Sequence, residues 1–168
     1  MIRIGVIGAE STGKSTLCKQ LSERYGYHWI KEYAREYVEN LNRPYTYDDV
    51  LHIAQQQITE LQAHYEEPVV LYDTELIITK VWMQYKFSKV APEVELAIRE
   101  HPMDGYLILA PDIAAEYDSV RENLDKREYL HNWYIEEVRQ TKQPYCIISG
   151  QGEMRFQAAA EAIISMMK

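Results

Sequence analysis

The sequence has few of the features that mark secreted, membrane or nucleic-acid-binding proteins. It has two cysteines, Cys18 and Cys146, with no CxxC spacing and no histidine at metal-ligand spacing, so we interpret both as free thiols. It has no apolar run as long as a membrane span and begins without a charged leader. Its net charge of −8 is the wrong sign for gripping nucleic-acid backbone. We therefore expect a cytoplasmic protein with neither a membrane nor a nucleic-acid partner.

Five short apolar segments alternate with longer segments of helical period along the 168 residues. This alternation predicts an α/β fold of three layers, in which a five-stranded parallel sheet carries helices on both faces. With no linker or repeat, we expect one domain over residues 1–168. The predicted strands are residues 3–7, 27–31, 69–72, 106–110 and 145–149, and the predicted helices are residues 14–25, 47–65, 126–140 and 153–167.

A phosphate-binding motif follows the first predicted strand and opens the first predicted helix. The segment GAESTGKS at residues 8–15 matches G-x-x-x-x-G-K-[ST] in full. Its glycines allow a loop that surrounds anions with N–H groups, and the helix N-terminus adds positive potential. A chance match in a turn is the alternative, but the strand before and the helix after favour a P-loop that binds ATP.

Each position of this loop has an expected role. Lys14 would reach the β and γ phosphates, and the Ser15 hydroxyl would take a position on Mg²⁺. The sequence therefore predicts ATP and Mg²⁺ as cofactors. The predicted ATP-binding residues are Gly8, Glu10, Ser11, Thr12, Gly13, Lys14, Ser15 and Thr16.

Carboxylates follow two further predicted strands. Asp73 ends the run VVLYD, where a parallel sheet would direct it at the metal, so that it would bind either Mg²⁺ or the acceptor. The alternative is an N-cap for a helix starting near Thr74. Glu32 follows the second strand and could take a hydroxyl proton. Glu32 and Arg35 are three residues apart, so a surface ion pair on one helical turn is equally open.

A polar segment after the fourth strand has the composition of a lid. Asp118, Arg121 and Arg127 lie there, and the two guanidinium groups could neutralise charge on a transferred phosphoryl group. Solvated ion pairs on a helix are the alternative. Residues 149–152, with the sequence SGQG, follow the last strand, where P-loop kinases commonly wrap the adenine, although a glycine-rich turn explains them as well.

Four segments together resemble one family. GAESTGKST, EYAREYV, YDTELIITKVW and HPMDGYLILAPDI with DSVR are similar, in order and spacing, to the ribosylnicotinamide kinase domain of NadR-type proteins, within the P-loop nucleoside kinase-like and AAA-type ATP-binding families. The resemblance implies a fold like that of nucleoside monophosphate kinases with a short lid. It also implies phosphorylation of the 5′-hydroxyl of nicotinamide riboside, a step of NAD biosynthesis.

The resemblance also implies a role for individual residues. It assigns Lys14 and Ser15 to ATP and Mg²⁺, and Asp73 to the reaction centre. Glu32, Tyr33 and Arg35 would form the acceptor pocket. Arg121 and Arg127 would belong to the lid, so that the expected catalytic residues are Lys14, Glu32, Asp73, Arg121 and Arg127.

The chain departs from the family pattern near the lid. It has PDIAA at residues 111–115 where members often have PDIPW, and DSVR at 118–121 where they often have DGxR. Longer NadR-type proteins carry a nucleotidylyltransferase domain, and some carry a DNA-binding domain, ahead of the kinase; we expect neither activity here.

These observations leave three functions open. The first is a kinase of nicotinamide riboside, the second is a kinase of another nucleoside or nucleotide, and the third is a P-loop ATPase or regulator with a protein partner. A nucleoside-like small molecule is the expected partner of the first two. The sequence leaves a homo-oligomer open.

Overall fold

The computed structural model describes residues 1–114 and 124–168. Within them, five parallel strands form one sheet in the order β2-β3-β1-β4-β5. The strands are β1 (Ile2–Gly8), β2 (His28–Ile30), β3 (Val69–Asp73), β4 (Gly105–Leu109) and β5 (Tyr145–Ile148). The five predicted parallel strands are thus confirmed, with ends that differ from the prediction by at most one residue.

Helices cover both faces of the sheet, as the alternation of segments predicts. They are α1 (Lys14–Tyr25), α2 (Tyr33–Glu39), α3 (Tyr47–Gln62), α4 (Leu76–Phe87), α5 (Pro92–Glu100), α6 (Arg127–Thr141) and α7 (Gly152–Met166), and a short 3-10 helix, Leu124–Lys126, precedes α6. Helices α1 and α7 pack on one face, and α3 to α6 pack on the other. The three-layer α/β architecture is confirmed.

The strands alternate their side chains between two hydrophobic cores. Ile4 and Val6 of β1 pack toward α1 and α7, whereas Ile7 packs toward the other helices. Gly5 faces the Tyr106 ring of β4; a Cβ at Gly5 would lie 2.7 Å from that ring. Glycine at this position therefore leaves room for the nearly fully buried Tyr106 ring beside β1.

Helices α2, α4 and α5 are not among the predicted elements. In α4 the buried residues lie on most sides, so the segment lacks the polar contrast that marks an amphipathic helix. Its start is set by Glu75, whose side chain accepts a hydrogen bond from the Ile77 N–H at 3.0 Å. No helix in residues 1–114 and 124–168 is long and apolar enough to cross a membrane.

The sheet order determines which connections meet at the C-terminal edge. Because β1 is central, the loop after it lies between two groups of connections. Those after β2 and β3 lie on one side, and those after β4 and β5 lie on the other. Parallel sheets bind ligands at this edge.

Candidate active site

The loop between β1 and α1 is built as an anion-binding cradle. Gly13 adopts a left-handed backbone (φ 80°) and precedes α1 without any side-chain cap, so the first N–H groups of the helix stay open toward the cleft. Thr12 is fully buried and donates to the Ala9 carbonyl at 2.9 Å. Lys14 Nζ donates to the Gly8 carbonyl at 3.0 Å. The ammonium group is thus held over the loop that phosphates would enter.

A cleft of about 610 Å³ opens above this loop. Its middle is the predicted ATP-binding segment, all eight residues of which line it. On the β2–β3 side its walls include Glu32, Arg35, Val38, Tyr45, Ile78, Trp82 and Tyr85, and on the β4–β5 side they include Ile113, Gln151, Gly152, Arg155 and Phe156.

Asp73 is the last residue of β3 and lies just below the cleft. It is 2 % exposed, and neither carboxylate oxygen has a partner in hydrogen-bond geometry within the described residues. Burial raises its pKa to about 6, although the nearby Lys14 ammonium and Ser15 hydroxyl oppose the rise. Glu75, not Asp73, caps α4, so the capping alternative for Asp73 does not apply.

A buried, unpartnered carboxylate beside a hydroxyl suits a hard cation. Mg²⁺ prefers oxygen ligands, and Asp73 with Ser15 supplies a carboxylate and a hydroxyl on the floor of a phosphate cradle. The described residues contain no cluster of three or more His, Cys, Asp or Glu that could hold a metal without help. Mg²⁺ would therefore have to share its coordination with phosphate oxygens and water.

The residues that follow β2 separate into two groups. Glu32 precedes α2 and lines the cleft, as does Arg35, whose Nε also donates to Glu39 at 2.8 Å. Tyr33 does not line the cleft; its hydroxyl lies 3.1 Å from His52 Nε2 on α3. Of the three predicted acceptor-pocket residues in this segment, the structure brings Glu32 and Arg35 to the cleft.

An aromatic wall completes the β2–β3 side and is absent from the sequence prediction. Trp82 Nε1 donates to the Tyr45 hydroxyl at 3.2 Å, and the two rings meet edge to face with centroids 4.9 Å apart. Tyr85 stands one turn further along α4. Ile78, Trp82 and Tyr85 follow i, i+4, i+7 spacing, which is the sequence signal that could have revealed this face.

Tyr45 is held in place by a network in the loop between α2 and α3. Asp49 accepts two hydrogen bonds from Arg43, at 2.6 and 2.9 Å, and others from Tyr37 and Thr46. These bonds, with Arg43 the largest contributor, hold the pKa of Asp49 well below its usual range. The carboxylate thereby fixes the short segment that carries Tyr45 into the cleft.

The end of β3 carries a strained residue beside Asp73. Thr74 has a left-handed backbone (φ 66°), which is uncommon for a β-branched residue. Gln57 donates to the Thr74 carbonyl at 2.9 Å and accepts from Thr79 at 2.7 Å. Gln57 is the last of three consecutive glutamines at residues 55–57, and these contacts show that it faces inward. It supports the turn that follows Asp73.

Two arginines reach the phosphate loop from the β4–β5 side. Arg127, the first residue of α6, donates to the carbonyls of Ser11 at 3.1 Å and Ile113 at 3.0 Å. These main-chain contacts differ from the solvated ion pairs that were the alternative for Arg127. Arg155 of α7 lies below the same loop and is absent from the sequence prediction. The predicted lid residues Asp118 and Arg121 lie outside the described residues.

Glu75 gives the site a pH-dependent neighbour. It is 4 % exposed, and burial raises its pKa to about 8 from the usual 4.5, so it is mostly protonated at neutral pH. Because its pKa is higher in the folded state than in the unfolded state, Glu75 binds its proton more tightly when the protein is folded. The free energy of unfolding therefore falls as pH rises from about 4.5 to about 8.

We expect Glu75→Gln to become increasingly more stable than the wild type across that pH window. Glutamine mimics the protonated acid and keeps an oxygen for the Ile77 N–H. The difference should grow by up to about 1.4 kcal/mol per pH unit. Urea unfolding from pH 4 to 9 measures it. Glu75→Ala, which also loses the cap, should be less stable than Glu75→Gln at every pH, and a pH-independent difference for Glu75→Gln would contradict the assignment.

A five-stranded parallel sheet with a phosphate cradle after its central strand defines the P-loop class of nucleotide-binding proteins. A family model described as an AAA domain, AAA_28, matches residues 3–155. The chain belongs to this family. No curated protein matches it.

Solved structures with the same fold include NadR proteins and a deoxyadenosine kinase. A NadR protein in complex with NR has a TM-score of 0.82 at 22% identity, and the match covers 98% of this chain and 50% of that one. A NadR protein with NAD and AMP-PNP has a TM-score of 0.80 at 23% identity, covering 98% and 49%. Deoxyadenosine kinase from M. mycoides, with dCMP and dCDP, has a TM-score of 0.67 at 15% identity, covering 98% and 100%. The chain spans about half the length of the two NadR chains.

Proposed function

We propose that the protein is an ATP-dependent kinase that phosphorylates the 5′-hydroxyl of nicotinamide riboside to give nicotinamide mononucleotide. One observation carries the proposal: a single cleft combines a phosphate cradle, an unpartnered buried carboxylate, and a second half walled by aromatic rings and Glu32. A nucleoside has a flat aromatic ring and a hydroxyl-bearing sugar, which suit these two kinds of wall. The NadR structure in complex with NR has the same fold.

In this proposal, the loop amides and Lys14 bind the triphosphate. Ser15 and Asp73 would hold Mg²⁺, which would offset the charge on the phosphate oxygens. The Lys14 ammonium already lies at the mouth of the loop, 3.0 Å from the Gly8 carbonyl, and would exchange this contact for phosphate oxygens. Catalysis would then consist mainly of positioning and charge stabilisation.

Glu32 is the carboxylate we propose for orienting the acceptor hydroxyl. The sequence favours Asp73 slightly for this role, with Glu32 second. Glu32 lines the cleft, whereas Asp73 lies below it, and this difference supports Glu32 for the hydroxyl and Asp73 for the metal. Arg35 lines the same half of the cleft and could bind an oxygen of the acceptor.

Arg127 is proposed to stabilise the transferred phosphoryl group. Its guanidinium group donates to the Ser11 carbonyl, and Ser11 belongs to the loop that would hold the phosphates. The corresponding role for Arg121 in stabilising the phosphoryl group remains a prediction from the sequence. So do the cytoplasmic location and the single domain, and the sequence leaves the oligomeric state open.

A different nucleoside is the second candidate acceptor. Deoxyadenosine kinase matches over 98% of this chain and over its own full length. The match thus covers the whole of a nucleoside kinase fold, whereas it covers about half of each NadR chain. The same residues would perform the transfer, and only the contacts to the base would differ.

ATP consumption with a panel of acceptors tests the proposal. The purified protein is supplied with Mg²⁺, ATP, and nicotinamide riboside, deoxyadenosine, thymidine, cytidine, uridine or their monophosphates. ADP release with nicotinamide riboside, and a product with the mass of the mononucleotide, is the expected result. Release with deoxyadenosine alone would move the second candidate to first place. Hydrolysis that no acceptor stimulates would favour the ATPase or regulator.

We expect Trp82→Leu to raise the KM for nicotinamide riboside about tenfold while leaving the KM for ATP within twofold, because a ring contact to the base is worth roughly 1–1.5 kcal/mol. Trp82 lines only the acceptor half of the cleft. Trp133→Leu is the matched control, since Trp133 packs on α6 and donates to Glu137 away from the cleft. Initial-rate kinetics give both constants, and equal effects of the two variants would contradict the acceptor role.

A further inference from the structure

We infer that Arg155 is a positioning residue that fastens the loop after β5 to the phosphate loop, and thereby sets the affinity of the cleft for the base-and-ribose half of the nucleotide. The inference rests on the proposed binding of ATP at residues 8–16. It goes beyond that proposal because it assigns a role to a residue on the β4–β5 side of the cleft, across from the proposed acceptor walls.

Arg155 has an unusual number of partners for a single side chain. It is 5 % exposed and lies in the first turn of α7. Its Nε donates to the Gly150 carbonyl at 2.7 Å, and Nη1 donates to the Thr12 carbonyl at 2.9 Å. Nη2 donates to the Ala110 carbonyl at 3.1 Å and to the Asp112 carboxylate. One planar group thus joins the loops that follow β1, β4 and β5.

Asp112 closes the arrangement from the other side. Its second oxygen accepts a hydrogen bond from the Gly150 N–H at 2.7 Å. Gly150 therefore has its carbonyl bound to Arg155 and its N–H bound to Asp112, in a left-handed conformation (φ 86°) that glycine adopts readily. We call Arg155, Asp112 and Gly150 the arginine clasp. Asp112 also supplies the opposite charge that a buried guanidinium requires.

The clasp lies where the non-phosphate half of a nucleotide would extend. The loops after β2 and β3 carry the acceptor walls, and the phosphate loop lies centrally. The remaining side of the cleft is lined by Gln151, Gly152 and Phe156, which follow directly from Gly150 or share α7 with Arg155. A change in the clasp would therefore move the wall that meets the base.

The phosphate loop has supports that do not involve Arg155. Thr12 Oγ1 bonds to the Ala9 carbonyl, Lys14 bonds to the Gly8 carbonyl, and Arg127 bonds to the Ser11 carbonyl. The loop after β5, in contrast, reaches the phosphate loop through the Arg155 contact to Thr12. Loss of Arg155 should consequently release the base-side wall and leave the phosphate cradle formed.

Binding of AMP-PNP and of inorganic tripolyphosphate separates the two halves. Calorimetry with Mg²⁺ compares the wild type with Arg155→Met, Arg155→Lys, and Arg139→Met, an exposed arginine on α6 that contacts Glu136 and Tyr145. We expect Arg155→Met to raise the Kd of AMP-PNP about tenfold and that of tripolyphosphate less than about twofold. Arg155→Lys should lie between, because one ammonium replaces only part of the fork, and Arg139→Met should match the wild type.

The outcomes distinguish this inference from the proposed function. Equal weakening of both ligands by Arg155→Met, or no weakening of either, would overturn the clasp alone. A wild type that does not bind AMP-PNP would overturn the proposed function together with the inference. If Arg155→Met does not fold, Asp112→Ala replaces it, since Asp112 is partly exposed and its loss frees the Gly150 N–H. The same selective weakening of AMP-PNP is then expected, and its absence would overturn the clasp.

Discussion

Lys14→Ala should lower kcat by about 10³-fold, because it removes the positive charge that would stabilise the phosphate oxygens while the phosphoryl group is transferred. Lys14 is half-buried in the cleft, and its contacts to the carbonyls of Gly8 and Ala9 are weak substitutes for phosphate oxygens. Its loss leaves the loop backbone intact, since Thr12 still bonds to Ala9. The fold should therefore remain while the transfer fails.

Single-turnover transfer from radiolabelled ATP to nicotinamide riboside measures this effect over several orders of magnitude. Lys19→Ala on the exposed side of α1 is the matched control, since within residues 1–114 and 124–168 its one ion pair is with Glu23, at 3.9 Å. The control should keep wild-type turnover. Removal of one such charged group normally lowers kcat far more than about threefold. A kcat of Lys14→Ala within about threefold of the wild-type value would therefore refute the proposed mechanism.

Asp73→Asn should lose activity and gain stability at neutral pH. The substitution removes the buried charge that would hold Mg²⁺, so we expect kcat to fall roughly 10²-fold or more. It also removes an ionisable group that the folded protein holds in a poorly solvated position. One variant should thus separate the needs of function from those of folding.

The stability gain has a defined pH range. Burial raises the pKa of Asp73 from 3.8 to about 6, so the unfolded chain releases its proton first as pH rises. The wild type therefore loses stability between about pH 4 and pH 6, by roughly 2–3 kcal/mol in total, whereas the asparagine variant does not. Above that range the difference should stay constant.

Urea unfolding at pH 3.5, 5, 6 and 8, without ligands, measures the difference between the two proteins. A second series with Mg²⁺ and ATP should raise the unfolding midpoint of the wild type more than that of Asp73→Asn. If Asp73→Asn were less stable than the wild type at pH 8, Asp73 would have a stabilising partner that the structure lacks. Midpoints that Mg²⁺ and ATP raise equally in the two proteins would contradict the metal assignment.

The phosphate half of the site could be predicted because its determinants are local. Residues 8–16 follow one another along the chain, and all eight predicted ATP-binding residues line the cleft. The strand and helix that flank the loop carry their own sequence patterns. The same reasoning placed Asp73 correctly at the end of a strand, since a short apolar run ending in a carboxylate is readable without tertiary contacts.

The acceptor half could not be predicted in the same detail because it depends on packing between distant segments. Tyr45 reaches the cleft through the Arg43–Asp49 network, and Trp82 reaches it from a helix whose apolar residues lie on most sides. Tyr33 belongs to a recognisable motif, yet its hydroxyl contacts His52 outside the cleft. A motif thus shows which segment lies at a site, whereas tertiary structure decides which of its side chains face the ligand.

Arg155 illustrates the same limit on the other side of the sheet. It lies in a closing helix whose pattern consists of small and apolar residues, and nothing in its local sequence indicates a link to Thr12, 143 positions earlier. Three of its four partners are main-chain carbonyls, which carry no sequence signature. Buried arginines that bind only backbone and one carboxylate are therefore found by geometry alone.

The central place of β1 in the sheet has a consequence for the order of folding during synthesis. Its neighbours are β3 and β4, so that Ile4 pairs with Leu71 on one side and Gly105 on the other. The ribosome must add more than 100 residues before the first strand has both partners. Until then an apolar segment, IRIGVIG, stays without its sheet and depends on collapse or chaperones for protection. Nucleotide binding is thus a property that the nascent chain gains only after β4 has been added, although its loop follows β1 directly.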